Sequence, residues 1–362
     1  MGVYIIYFAF IALSFFFFGD KNSTSFLKWT LGGMMLILGF RSTDVGVDTM
    51  GYYEDFKNFS GLNFTHMFNY ALKEKEPLYV IFSWLVSQFS ITCISFMLFW
   101  ALLPCIALYY TIKDGVKTVN GQTISILCFF ALGLFAFFIA GIRQTAAISV
   151  VLLAYRSLTK EDFEWTLSFI KSRRFIVFLM WMFIAYNLHN SSILFFIVLP
   201  LLKFNVSWWY FPFVISLFFI GNMIKIGFLV EMSALFFDDR FASYGTVYES
   251  SQSINAFLMQ FIMFTICYLK RKELISKDRR NGYLFNIMVV GLIFQSMSGM
   301  IYEMARVAFY FSIFAIILVP KAIEEFSMGF RKILYGGMTI LLLIYLFFLS
   351  NSNLPTYSSS LF

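Results

Sequence analysis

The stretch TCISFMLFWALLPCIALYYTI, residues 92–112, decides the fold class. It carries no charged side chain and matches the roughly 20 residues that an α-helix needs to cross a bilayer. The whole chain has this character: 60% of its 362 residues are hydrophobic and 13% are charged, whereas an ordinary soluble domain has about 25% charged residues. A soluble protein of this size cannot bury so much apolar surface. The composition excludes a cytoplasmic enzyme, a disordered chain and a secreted disulfide scaffold, and predicts an all-α, polytopic integral membrane protein.

About twelve apolar runs along the chain are candidates for transmembrane helices. They lie at residues 3–18, 26–40, 92–112, 122–140, 144–158, 175–188, 191–202, 207–224, 254–269, 283–300, 304–320 and 333–350. A further run, 78–89, is too short to cross comfortably and is interpreted as re-entrant or interfacial. The expected architecture is a single membrane domain over residues 1–362, with long outer loops at about 41–76 and 225–253.

The basic residues predict the orientation of these helices. The two most basic segments are the one between Arg156 and Arg174 and the run KRKELISKDRR at 270–280. When both are placed in the cytoplasm, most of the 27 Lys and Arg residues fall on that side, as the positive-inside rule requires. The two long polar loops then lie on the outer face, where we expect the chemistry.

The first outer loop begins with FRSTDVGVDTMGYYEDF, residues 40–56. Arg41, Asp44 and Asp48 lie close together in it. Placing charged groups at the end of a helix bundle in a membrane costs free energy, so such groups usually have a function. They are therefore candidates for catalysis or binding. The alternative is structural, with Asp44 as the partner of Arg41 and Asp48 capping a short helix that begins at Thr49.

The short helix after Asp48 is rich in aromatic residues. In the structural alternative, its residues Tyr52, Tyr53, Phe56 and Phe59 lie on the membrane surface.

Two further polar sites interrupt apolar runs at the predicted outer face. GIRQTAA, residues 141–147, contains Arg143 and Gln144, and YNLHNSS, residues 186–192, contains His189. Ionisable residues at such positions are functional candidates. The alternatives are a hairpin turn in which Arg143 anchors to lipid phosphate, and an Asn/Ser turn that merely tolerates His189.

The stretch YEMARVAFYF, residues 302–311, places Glu303 and Arg306 on one helix face, with Tyr310 one turn further along. An internal ion pair is the competing interpretation. The adjacent acidic residues of FFDDRF, 236–241, are weak evidence for a cation site. The two histidines are too far apart in the sequence to suggest zinc, so we predict neither a metal nor a cofactor.

Taken together, these motifs resemble the EpsG-type, Wzy-like polysaccharide polymerases of bacteria. That family typically shows an arginine, then G-x-D-T-x-x-Y, then an acidic residue followed by an aromatic residue. The matching positions are Arg41, Gly46, Asp48, Thr49, Tyr52, Glu76 and Tyr79. Where the family often has a glycine before the last aromatic residue, this chain has Leu78. The family's order continues with Arg143 and Gln144, His189 and Ser191, and Arg306 and Tyr310.

The resemblance implies a GT-C-like glycosyltransferase in the bacterial inner membrane with its active site facing the periplasm. It would join undecaprenyl-diphosphate-linked oligosaccharide repeat units, as in O-antigen or capsule synthesis. The implied partners are this lipid-linked oligosaccharide, membrane lipid and a chain-length regulator protein, with no nucleic acid. The implied sugar- or acceptor-binding residues are Tyr52, Tyr53, Glu76, Gln144 and Tyr310.

Such a reaction needs cations for its leaving group and a base for its acceptor. Arg41, Arg143 and Arg306 come from distant parts of the chain, and guanidinium groups bind phosphate oxygens in a bidentate manner. We therefore expect them to bind the diphosphate. An acceptor hydroxyl needs a base within hydrogen-bond reach. The candidate bases, between which the sequence does not decide, are Asp44, Asp48, His189 and Glu303.

Two other functions fit much of the same sequence. A flippase for the lipid-linked sugar would place its charges along a cavity that reaches both sides of the membrane. A ligase that moves finished polymer to another acceptor would share the donor site.

Overall fold

The computed structural model describes residues 1–19, 22–74, 76–159, 167–223, 254–298, 303–350 and 353–361. In this part of the chain every regular element is helical, and the only extended pairing is one isolated bridge between Arg41 and Ser359. The all-α class is therefore confirmed for the described residues. The predicted outer loop at 225–253, with its FFDDRF motif, lies outside them.

The helices follow one another with short connections. They are α1 Gly2–Phe18, α2 Ser23–Gly39, α3 Thr49–Ser60, α4 Phe64–Lys73, α5 Pro77–Ser87, α6 Cys93–Gly115, α7 Val119–Ala131, α8 Leu134–Ala140, α9 Ile142–Leu158, α10 Leu167–Ile170, α11 Arg173–Leu188, a 3₁₀ helix Asn190–Ile197, α12 Val198–Leu201, α13 Tyr210–Met223, α14 Ile254–Leu269, α15 Arg271–Lys277, α16 Arg280–Ser296, α17 Glu303–Ser312, α18 Ala315–Glu324, α19 Met328–Ile344 and a π-helical turn Tyr345–Leu349.

Two of the described helices are long and apolar enough to cross a membrane by themselves: α6, and α19 together with its π-helical turn. Two further apolar pairs are bent, α7 with α8 by 56° and α17 with α18 by 48°. Counting each bent pair as one crossing gives up to four by length and composition. The remaining apolar helices are shorter, so the figure of about twelve crossings stays a prediction.

Several predicted runs are interrupted where the sequence suggested continuity. The run at 122–140 breaks at Gly133, which has φ +76° in the left-handed region that glycine adopts easily. The run at 191–202 forms a 3₁₀ helix followed by the single turn α12. These breaks shorten the straight helices.

The described parts of the basic loops meet at one end of the bundle. Thr118 donates a hydrogen bond to Glu324 over 2.7 Å, and Lys277 forms an ion pair with Glu325 over 2.8 Å. The 23 residues of α6 span about 35 Å, close to the roughly 30 Å hydrocarbon core of a bilayer. Arg156 in the last turn of α9 pairs with Asp114 at the end of α6, whereas Arg143 and Gln144 lie in the first turn of α9. The candidate site residues of α9 therefore lie at the opposite end of this helix from the basic loops.

Helix α3 does not present its aromatic face to the membrane as expected. Tyr52, Phe56 and Phe59 are buried, and the Phe56 ring lies 4.7 Å from that of Phe96 on α6. The apolar face of α3 is covered by protein, because α5 and α6 pack against it. The membrane-surface interpretation of this face was wrong.

The C-terminal segment 353–361 crosses the ends of several helices near the candidate site. Tyr357 donates to the carbonyl of Ile37 over 3.0 Å, and Tyr4 donates to the carbonyl of Pro355 over 2.8 Å. The segment thus ties α1 and α2 together beside the loop that begins at Arg41.

Candidate active site

Glu76 is the centre of a group of ionisable side chains drawn from three distant segments. It precedes α5, and one of its carboxylate oxygens accepts from the Arg143 guanidinium on α9 over 2.9 Å. The other oxygen is hydrogen-bonded to Nδ1 of His189, the residue that ends α11. The sequence predicted all three as site residues, and the structure brings them into direct contact.

The electrostatics of this group fix the charge of Glu76. Burial acts to raise the pKa of its carboxyl, but the hydrogen bonds and charges of His189 and Arg143 outweigh that effect and lower the pKa below its ordinary value. Glu76 is therefore an ionised hydrogen-bond acceptor at neutral pH. Because a carboxylate can only accept, the Nδ1 of His189 carries the hydrogen.

Arg143 is also surrounded by aromatic rings. Its guanidinium carbon lies 5.1 Å from the ring centre of Tyr52 and 5.2 Å from that of Tyr79. Tyr79 in turn stacks on Trp100 with ring centres 5.3 Å apart. Since 36% of the Arg143 side chain is exposed, the guanidinium is held from one side and open from another, as a ligand-binding cation must be.

His189 keeps a free nitrogen beside this group. Its Nε2 makes no hydrogen bond with any described residue, and 23% of its side chain is exposed. Two residues further along, the Ser191 hydroxyl lies 3.2 Å from the hydroxyl of Tyr310 on α17. The turn after α11 and helix α17 therefore meet at the site.

The third arginine is anchored to the same region. The Gln144 side chain donates to the backbone carbonyl of Arg306 over 2.9 Å. Arg306 also pairs with Glu303 over 3.3 Å, and 46% of the Glu303 side chain is exposed. The predicted internal ion pair is therefore present, and it lies on a helix tied to α9 directly beside Arg143.

Tyr52 shows how closely the charged groups converge. Burial raises the pKa of its hydroxyl, the positive charges of Arg143 and Arg306 oppose that rise, and the negative charge of Asp48 adds to it. The two arginines and Asp48 all lie within electrostatic reach of one phenol.

Arg41 has different surroundings. It is 2% exposed, and its guanidinium donates to the backbone carbonyls of Leu38 and Ile139, the second over 3.1 Å. The Thr49 hydroxyl donates to the carbonyl of Val45 over 2.7 Å and also lies 3.3 Å from the same Ile139 oxygen. Gly46, with φ +99°, packs so closely that an added Cβ would lie 3.1 Å from that oxygen. We call Arg41, Gly46 and Thr49 with this carbonyl the Ile139 cluster.

A comparison with protein families matches residues 30–359 to the EpsG family. The chain belongs to the EpsG family. This is a family of Wzy-like polysaccharide polymerases, so membership places the protein among the membrane-bound, glycosyltransferase-like polymerases of polysaccharide biosynthesis. Neither a curated protein nor a solved structure matches the chain.

The aspartates of this EpsG-family chain lie in two different settings. Both Asp44 carboxylate oxygens accept from Ser358 of the C-terminal segment, over 2.9 and 2.7 Å. Asp48 is exposed and occupies the N-cap position of α3, but its side chain makes no capping hydrogen bond. Tyr53 is likewise turned away from the ionic group, since its hydroxyl donates to the carbonyl of Ile91 over 3.2 Å.

The structure adds residues that the sequence did not single out as site residues. Tyr79 was part of the family motif but had no proposed role, and its ring lies beside Arg143. Asp55 lies one helical turn after Tyr52, and burial raises the pKa of its carboxyl while Arg143 acts to lower it. The i, i+3 spacing of Tyr52 and Asp55 was the available sequence signal.

The donor set of the described residues does not suggest a metal site. No three His, Cys, Asp or Glu side chains in the described ranges come together as ligands for an ion. The arrangement consists of an ionised carboxylate, a histidine, arginines and phenols, and it can bind anions and move a proton.

Proposed function

We propose that the protein is a polysaccharide polymerase. It would join undecaprenyl-diphosphate-linked oligosaccharide repeat units on the periplasmic face of the bacterial inner membrane, as in O-antigen or capsule synthesis. The observation that carries the proposal is the double contact of Glu76 with Arg143 and His189. This contact joins a group that can move a proton to a cation that suits phosphate, at the end opposite the basic loops.

In this proposal His189 is the base. Its Nδ1 hydrogen is held by Glu76, which fixes the tautomer and leaves the Nε2 lone pair available. The acceptor hydroxyl, on the non-reducing end of a fresh lipid-linked unit, would give its proton to Nε2. Glu76 then stabilises the positive imidazolium, as the carboxylate does in a Ser-His-Asp arrangement.

The arginines would stabilise the leaving group. The acceptor oxygen forms a bond to the anomeric carbon of the growing chain, and the bond from that carbon to the diphosphate oxygen breaks. The electron pair leaves on the diphosphate, where negative charge increases. Arg143 and Arg306 both act on Tyr52 and are partly exposed, so we assign the diphosphate to them.

Aromatic and polar neighbours would hold the sugars. Tyr52 and Tyr79 flank Arg143 and supply ring faces on which sugar rings can pack. Asp48 is exposed close to Tyr52 and is suited to accept hydrogen bonds from acceptor hydroxyls. Gln144 and Tyr310 instead hold helices in place through Arg306 and Ser191. The growing lipid-linked chain, membrane lipid and a chain-length regulator are the proposed partners.

The decisive experiment uses purified full-length protein in lipid vesicles with a synthetic lipid-linked repeat unit. We expect a ladder of longer lipid-linked products and release of undecaprenyl diphosphate, both abolished by Glu76→Ala. Movement of the intact unit across the bilayer without new glycosidic bonds would show a flippase instead. Transfer of preformed polymer only to a different acceptor would show a ligase.

A further inference from the structure

A small cavity lies beneath Arg41, where α2, α6 and α9 approach one another. Its volume is about 10 Å³, close to the smallest space that holds one water molecule. Its polar lining comes from Arg41, Trp100 and Thr145, and most of the other lining residues are apolar. The indole of Trp100 that borders it also stacks on Tyr79.

Three buried polar atoms belong to these residues and have no partner. The Arg41 Nε, the Trp100 Nε1 and the Thr145 Oγ1 form no hydrogen bond with the described part of the chain. The three residues are 2%, 4% and 3% exposed. An unsatisfied buried polar group costs about 1–3 kcal/mol. Because buried polar groups are nearly always hydrogen-bonded, three of them around one cavity indicate a partner inside it.

Pro104 also affects the backbone hydrogen bonding of α6 beside the cavity. Pro104 lies inside this helix and lines the same cavity. Because proline has no N–H, the carbonyl of Trp100 four residues earlier loses its helical partner. In membrane helices such freed carbonyls are commonly satisfied by ordered water.

We propose that one ordered water molecule occupies this cavity and joins α2, α6 and α9. It would accept from the N–H groups of Arg41 and Trp100, and donate to the Thr145 hydroxyl and to the Trp100 carbonyl. Two donors and two acceptors match the hydrogen-bonding capacity of one water. A halide ion would satisfy the two N–H groups but would face the carbonyl oxygen with its negative charge, so water is the better occupant.

The water completes the hydrogen bonding of Arg41, whose other nitrogens bind the carbonyls of Leu38 and Ile139. It thereby supports the last turn of α8, whose Ile139 carbonyl Arg41 binds. This inference does not depend on the proposed reaction, since it concerns how the outer ends of three helices are joined.

An experimental structure of the wild-type protein, determined in lipid at a resolution that shows ordered waters, tests the site directly. We expect one density peak within hydrogen-bond distance of the three unpartnered side-chain atoms. An anomalous signal at this position from crystals grown in bromide would show that an anion occupies the cavity, and it would overturn the proposal. Side chains rearranged to pair with one another around a closed cavity would overturn it as well.

A matched pair of threonine variants gives an independent test. Thr145 and Thr111 are both buried with an unpaired hydroxyl, but only Thr145 lines the cavity. Thr145→Val removes a partner of the water and should lower the apparent Tm in detergent by about 2 °C or more. Thr111→Val removes an unsatisfied hydroxyl and should leave the Tm unchanged or raise it. Equal shifts in the two variants would contradict the water site. If Thr145→Val does not accumulate in the membrane, Thr145→Ser is measured in its place, and because it keeps the hydroxyl its Tm should stay close to that of the wild type.

Discussion

The Ile139 cluster and the ionic group around Glu76 lie at the same end of the molecule but are built in opposite ways. In the cluster, buried side chains bind a backbone carbonyl. In the ionic group, side chains bind one another and stay partly exposed. The first arrangement fixes the path of the chain, whereas the second leaves charge available to a ligand.

This difference points to a structural role for part of the most prominent sequence motif. Arg41, Gly46 and Thr49 surround the Ile139 carbonyl in the last turn of α8, four residues before Arg143. The motif thus contributes through local geometry, while Asp48 and Tyr52 of the same stretch face the charged groups. A permanently charged residue next to an active site can serve the fold rather than the substrate.

The largest effect should come from the histidine of the ionic group. We expect His189→Ala to lower polymerisation by about 10²- to 10⁴-fold, the usual contribution of a positioned base, with normal protein levels in the membrane. The ladder assay in vesicles measures it. His66→Ala is the matched control, because His66 is exposed on α4 and its loss should change nothing. Full activity of His189→Ala would remove the proton-transfer role from the ionic group.

Arg143→Lys should have the next largest effect. Lysine keeps the charge but cannot hold Glu76 and phosphate with a planar fork, and one charge-assisted hydrogen bond is worth about 1.5–3 kcal/mol. We expect polymerisation to fall by about 10- to 100-fold.

Arg156→Lys is the control for this change on the same helix. Arg156 is also paired with a carboxylate and also lies 5.1 Å from a tyrosine ring, but it is at the basic end. Polymerisation by this variant should be normal. Equal losses in both variants would mean that Arg143 serves only as a structural anchor.

A glycine pair tests the Ile139 cluster. In Gly46→Ala the new Cβ would lie 2.6 Å from the Thr49 hydroxyl at φ +99°, and we expect a loss of about 1–3 kcal/mol of stability. In Gly51→Ala nothing lies within 4 Å of the new Cβ, so the better helix former should stabilise α3 by up to about 1 kcal/mol. Thermal unfolding in detergent should give shifts of opposite sign. A neutral Gly46→Ala would contradict the close packing of the cluster.

The ionic group around Glu76 should make the stability of the protein depend on pH. Since the folded-state pKa of Glu76 lies below its ordinary value of 4.5, its ionised form stabilises the fold above pH 4.5, and this contribution is lost as the pH falls through the folded-state pKa. The Tm difference between the wild type and Glu76→Gln should therefore be present at pH 7 and shrink below pH 4.5. A difference that grows in acid would reverse the assigned sign.

The sequence predicted a helical membrane protein and much of the candidate site. Arg143, Gln144, His189 and Tyr310 stood out because each is polar between apolar runs, and such residues cost free energy unless they are used. Their pairing was not predictable, because Glu76 and His189 are 113 positions apart and periodicity carries no information on which helix ends meet.

Other features could not be predicted, for identifiable reasons. Composition does not reveal that carbonyls of two helices surround the guanidinium of Arg41, and diphosphate binding by Arg41 stays a prediction. The break at Gly133 was missed because a single glycine in an apolar run is equally compatible with a continuous helix. Helix α4 was assigned to a polar loop, although Asn63 caps it through a hydrogen bond to the backbone N–H of His66.

The smallest effects should separate the two aspartates of the first outer loop. Asp44 is held by Ser358, and Asn keeps one carbonyl oxygen to accept that hydrogen bond, so Asp44→Asn should leave the polymer nearly normal. Asp48 is exposed beside Tyr52 and makes no capping hydrogen bond. Asp48→Asn therefore removes a charge without breaking a structural contact. We expect it to lower polymerisation by a few-fold, which corresponds to about 1 kcal/mol or less. Chain length in the vesicle assay, normalised to membrane protein level, measures both variants. If Asp44→Asn instead yields single repeat units while Asp48→Asn makes full polymer, the Asp44 carboxylate takes part in the chemistry, and the division between a structural cluster and a reactive ionic group fails at the loop that connects them.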